Sequence, residues 1–155
     1  MKNFKQVFHA LSYLQYPFLL IGLFLLFKPF FRGFDYLFSN PEFLFKTYSN
    51  VLIFFGLTLS FAALQDSGKT SLRYEKRIWQ NPKRAKALII VTIFTIVIFF
   101  FAGIFGFIMK ENIFKEFSYG SLILAIGLLG YLKLQIEMYE NHKKSNLKKS
   151  NKESS

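Results

Sequence analysis

Cysteine is absent from this chain of 155 residues, and its absence removes disulfide frameworks, thiolate metal sites, thiol nucleophiles and disulfide-linked redox chemistry together. Histidine occurs only as His9 and His142, near opposite ends, with no acidic pair beside either to complete a metal shell. Both read as structural or solvated residues, and no metal or cofactor is expected. Charge is missing where chemistry inside a membrane would need it. The polar residues within the apolar stretches are Ser12, Gln15, Thr58, Ser60, Thr92, Thr95 and Ser121, with no acidic or basic residue at mid-depth. Ion-coupled transporters and pumps usually carry a titratable group there, and an intramembrane enzyme needs convergent polar groups at one depth. Neither pattern is present, so no enzymatic activity is expected.

What the chain does have is apolar and aromatic bulk, 52% hydrophobic and 20% aromatic, beside a formal charge of +11. These properties are segregated, with long uncharged stretches alternating with short basic ones. Runs of about 18 or more apolar residues form helices that satisfy their own backbone hydrogen bonds in lipid. The predicted fold is an all-α membrane protein, four transmembrane helices in an antiparallel bundle with short amphipathic or interfacial connectors.

The first span covers about residues 8–27, where nothing is charged between Lys5 and Lys28; Pro17 can kink it by removing a backbone donor. A cleaved signal is not expected, because Lys28, Pro29, Phe30, Phe31 and Arg32 follow the run in place of small residues. The connector from Lys28 to Lys46 is rich in Phe and Tyr and broken by Gly33 and Asn40-Pro41. It reads as a short interfacial helix, a re-entrant turn or a loop packed over the helix ends. The second span covers residues 47–65 and the third 87–109, bracketed by Lys86 and Lys110. The fourth, about 117–137, is uncharged only to Leu132; Lys133 can snorkel and pair with Glu137 four residues on, while Gln135 and Tyr139 emerge into water. Residues 1–140 thus form the membrane domain. Residues 141–155, with one leucine and no aromatic, read as a disordered basic cytoplasmic tail.

Four spans place both termini and the 66–86 connector on one side. Lys and Arg there number 14, against 5 on the other side. By the positive-inside rule the first side is cytoplasmic, giving a multi-pass protein of the cell (inner) membrane with both ends inside.

Ala63 to Thr70, ALQDSGKT, matches a relaxed phosphate-loop pattern. A true phosphate loop joins a buried strand to a helix, whereas this one follows an apolar span, so a helix ending at Gly68 explains the same residues. The segment after it reads as a surface helix on anionic lipid headgroups, with Arg73, Lys76, Arg77, Trp79, Lys83 and Arg84 in contact with them. It has no element for reading nucleic acid, and none is expected as a partner. Ser12, Gln15 and Tyr16 form a small intramembrane polar cluster, read as an interhelical hydrogen bond ahead of a ligand site.

Small residues recur four apart at Gly56 and Ser60, Ala102 and Gly106, and Ser121 and Ala125, with Gly120, Gly127 and Gly130 adding to the last span. Such spacing lets helix backbones approach, within one chain or between copies. The expected function is a noncatalytic accessory or interaction subunit, partnered by the bilayer and by a membrane protein or a second copy of itself. The alternative is a channel or uncoupled small-molecule transporter acting as an oligomer.

Overall fold

A computed structural model describes residues 2–65, 78–79, 81–109 and 111–153, with side chains described from 6 to 143 apart from those of 34, 35 and 113. The fold is all-α. Helices α1 (Lys2–Ser12) and α2 (Gln15–Phe27) make the first hairpin arm, followed by a 3₁₀ turn at Lys28–Arg32 and the short α3 (Phe34–Ser39). Then come α4 (Pro41–Ala62), α5 (Pro82–Ile108) and α6 (Asn112–Glu153). Among the described residues, four stretches are long and apolar enough to cross a bilayer: Gln6–Arg32, Pro41–Ala62, Pro82–Ile108 and Phe114–Lys143.

Local chemistry sets the boundaries. Pro17 has no N–H to give the Tyr13 carbonyl, which instead accepts from Tyr16 N at 3.2 Å, and the first span breaks into α1 and α2 there. Pro41 opens α4 and Pro82 opens α5, each in the first turn where a missing N–H costs nothing. Asn81 caps α5, its side-chain oxygen accepting from Lys83 N at 3.1 Å. Two spans therefore begin earlier than charge alone predicts, at Pro41 instead of residue 47 and at Pro82 instead of residue 87.

The four spans form a row more than a closed ring. The central pair is α4 and α6; α2 packs on α4, α5 packs on α6, and α2 and α5 share no extended contact. Neighbours in sequence run antiparallel, while the central pair runs parallel. The span within α6 is 39% buried and the span of α5 only 11%, although α5 has the higher mean hydropathy, 3.0 against 1.5. The more polar helix sits inside and the more apolar one faces lipid, the arrangement a bilayer favours because its tails are as apolar as leucine.

Small residues let the central pair meet. A Cβ built on Gly56 would lie 2.6 Å from the Ile123 carbonyl oxygen, one on Gly120 2.5 Å from the Ser49 carbonyl oxygen, and one on Gly127 would strike the Gly56 carbonyl. Ser49, Gly56 and Ala63, seven apart, thus face Gly120, Gly127 and Gly130 along a backbone-to-backbone seam. Ser49 Oγ closes it at one end by donating to the Glu116 carbonyl at 2.5 Å.

The aromatic connector packs over the start of α4. The Arg32 guanidinium sits 4.6 Å from the Phe43 ring centroid and donates to Tyr36 Oη at 3.1 Å, while Tyr36 meets Phe43 edge-on. Its turn depends on Gly33, whose φ of 83° lies in the left-handed region. Phe31 and Phe38 project outward, 81% and 85% exposed, where headgroups and rings meet.

Helix α6 continues to Glu153, whereas composition predicts disorder from residue 141. The physical reason is propagation: the span supplies the nucleus, so each further residue adds a hydrogen bond without the cost of starting a helix. Lys133 Nζ lies 3.9 Å from Glu137 Oε1, the expected pair.

Candidate functional site

Because α2 and α5 stand apart on the same face of the central pair, a half-open cleft of about 390 Å³ is left between them. It lies toward the end that carries the termini. Gln15, Tyr16 and Leu19 line it from α2, Thr58 and Gln65 from α4 and the residues just after it, and Leu88 from α5. Its floor is Tyr131, Leu134 and Met138 of α6, with Trp79 closing the end.

Trp79 is a correction to the sequence reading. Expected at lipid headgroups beside basic residues, it is 4% exposed and packs with Ala85, Leu134 and Met138, backed by Leu88, Tyr131 and Tyr139. The indole buries a large apolar area against its neighbours, and Ala85 beside it is fully buried. Lys83 and Arg84 are exposed, as expected, but they stand in the first turn of the spanning helix itself and not on a separate surface helix. Arg73, Lys76 and Arg77 lie outside the described residues, as does Gly68, where the phosphate-loop-like stretch was expected to end its helix.

The predicted polar cluster divides. Ser12 is buried and donates to the His9 carbonyl at 2.7 Å, within its own helix, so it forms no bond between helices. Gln15 and Tyr16 face the cleft. Among the described residues, Ser49, absent from the sequence-based candidates, makes an interhelical bond from its hydroxyl; its seven-residue spacing from Gly56 and Ala63 was the available signal. Gln135 is likewise 1% exposed instead of solvated, and its Oε1 has no hydrogen-bond partner among the described residues. The helix passes through the packed bundle for longer than the last uncharged residue implies.

Seven further Ser and Thr hydroxyls turn onto their own backbones. Thr47, Thr58, Ser60, Thr92, Thr95, Ser118 and Ser121 each donate to the carbonyl four residues earlier, at 2.7–3.0 Å. Such bonds satisfy a hydroxyl in lipid without offering it to a substrate.

A second cleft, also about 390 Å³, opens at the opposite end between the starts of α4 and α6, lined by Glu42, Phe43, Lys46, Asn112 and Glu116. Lys46 Nζ and Glu116 Oε1 pair across it at 3.9 Å, both well exposed. An exposed pair of this kind contributes about 0–1 kcal/mol, so it positions little. No group of three or more metal-ligating side chains occurs among the described residues.

The fold and its four candidate spans define the class, a multi-pass membrane protein in contact with the lipid bilayer. No protein-family model, curated protein or solved structure matches the chain.

Proposed function

We propose that this chain is a noncatalytic accessory or interaction subunit of the cell membrane, spanning it four times with both termini in the cytoplasm. The orientation rests on the 14-to-5 distribution of Lys and Arg between the two sides. One observation carries the functional reading: Thr58, Thr92, Thr95 and Ser121 are bonded to their own backbones, and no acidic, basic or imidazole side chain stands among the described residues that line the cleft between α2 and α5. The seam of Gly56 against Ile123 and Gly127 adds to it, because the two central helices touch backbone to backbone there and leave no passage between them. The outer faces of α2 and α5 carry Leu20, Phe24, Phe94 and Phe105, each at least 60% exposed, and offer apolar surface to lipid or to another membrane helix.

Gentle detergent extraction with crosslinking tests this reading. A reproducible, stoichiometric membrane-protein partner, or a defined homo-oligomer, is the expected result. A solute flux in liposomes that Gln15→Leu abolishes would replace it with the transporter reading.

A further inference from the structure

We infer that the cleft between α2 and α5 is a binding site for one anionic phospholipid drawn from the leaflet on the side of the termini. The inference rests on the chain spanning a bilayer and is independent of whether it has a protein partner.

The position of the cleft dictates what can fill it. Tyr131 to Met138 covers about 11 Å along α6 at about 1.5 Å per residue, and Thr58 to Gln65 runs from the last turn of α4 to just past its end, so the cleft occupies the end of the bundle that carries the termini. It opens between two helices that do not pack on each other. What surrounds such an opening is acyl chain, and about 390 Å³ falls within the about 300–1,000 Å³ of ordinary ligand sites.

The lining combines apolar and polar groups. Leu19, Leu59, Leu88 and Leu134 supply apolar surface against which an acyl chain gains dispersion contact, beside the hydroxyl-bearing Thr58 and Tyr131. Toward the rim stand the amides of Gln15 and Gln65, donors suited to ester and phosphate oxygens.

Charge selects the headgroup. Arg84 stands four residues before Leu88, so it lies one turn nearer the bilayer edge on the same side of α5 that lines the cleft. Lys83 adjoins it, and both are exposed. Both lipid classes present a phosphodiester that guanidinium matches bidentately, but a zwitterionic headgroup adds its own ammonium beside these two cations, whereas an anionic headgroup brings net negative charge to them.

Trp79 is the single tryptophan of the chain and lines the cleft, so its fluorescence reports an occupant directly. The full chain is reconstituted in phosphatidylcholine vesicles doped, at matched mole fractions, with phosphatidylglycerol or phosphatidylcholine brominated on the acyl chains. Bromine quenches an indole only on contact. Brominated phosphatidylglycerol should reach half-quenching at a mole fraction about 25-fold lower than brominated phosphatidylcholine, the preference falling about fivefold for each cation removed by Lys83→Ala or Arg84→Ala. Ala62→Phe, which fills the cleft from the end of α4, should abolish the quenching by both. Equal quenching by the two lipids, or a preference that survives K83A/R84A, overturns the anionic assignment. Absence of quenching, or quenching unchanged in A62F, overturns the site itself. Should A62F fail to fold, native mass spectrometry of the unmodified chain decides. One phosphatidylglycerol retained per chain supports the site; loss of it as readily as phosphatidylcholine refutes it.

Discussion

Gly56 offers the sharpest test of the packing, because a single methyl group there has a calculable consequence. In Gly56→Ala the new Cβ would sit 2.6 Å from the Ile123 carbonyl oxygen and 3.0 Å from Leu124 Cα. Ordinary contact begins at 3.4 Å, so α4 and α6 must part locally by about 0.8 Å, and a radial gap of about 0.5–1 Å forfeits a quarter to a half of the dispersion attraction across it. Inserting a methyl group into a packed seam costs about 1–3 kcal/mol. Alanine also gains up to about 1 kcal/mol of helix propensity over glycine, which would mask part of the loss. Gly130→Ala supplies the control: its Cβ would meet only the Ala63 methyl, at 3.3 Å, and it carries the same propensity gain. Unfolding in mixed micelles, followed by far-ultraviolet circular dichroism as the mole fraction of sodium dodecyl sulfate rises, should rank Gly56→Ala below Gly130→Ala by about 1–3 kcal/mol. If the two variants unfold together, α4 and α6 do not meet along this seam.

Further outcomes follow from other parts of the fold. Trp79→Ala should destabilise the protein by about 3 kcal/mol or more in the same titration, and Trp79→Phe by clearly less, since the loss is one of packing. An interfacial Trp would show little difference between the two. Gly33→Ala should cost about 1–3 kcal/mol from backbone strain, because its φ of 83° and ψ of 152° lie in a region essentially reserved for glycine, although nothing lies within 4 Å of its new Cβ; a neutral result would mean the turn has another conformation. A cysteine at Asn141 in this cysteine-free chain should react with an impermeant maleimide only when the cytoplasmic face is exposed, and labelling from outside intact cells would contradict the proposed orientation.

The spans were legible in the sequence because lipid leaves no other reading of uncharged runs flanked by Lys28, Lys86 and Lys110. Their ends were less so. Prolines 41 and 82 start helices five or six residues upstream of the apolar runs, and a count of charges does not register helix capping. Partner choice was hidden for a different reason. Spacing of four, as in Gly56 and Ser60, marks a face able to pack, but the seam that forms uses residues seven apart, Ser49, Gly56 and Ala63, against Gly120, Gly127 and Gly130. Only the relative placement of two helices distinguishes these. Trp79 among basic residues satisfies both an interfacial and a buried reading, and the burial that decides between them depends on α6, more than fifty residues away. The cleft was visible only in part: Gln15 and Tyr16 were singled out, while Thr58, Gln65 and Tyr131 join them through tertiary packing alone.

The parallel contact of α4 with α6 also constrains biogenesis. These helices are separated in sequence by α5, so during synthesis α4 enters the membrane with its glycine face bare and waits until the last span emerges from the ribosome. Two helical hairpins, α2 with α4 and α5 with α6, can each insert on their own and then dock through the seam, as separate insertion and association steps allow. A chain truncated after α5 would keep three spans but expose that face permanently, presenting membrane quality control with an unpaired, closely approachable backbone.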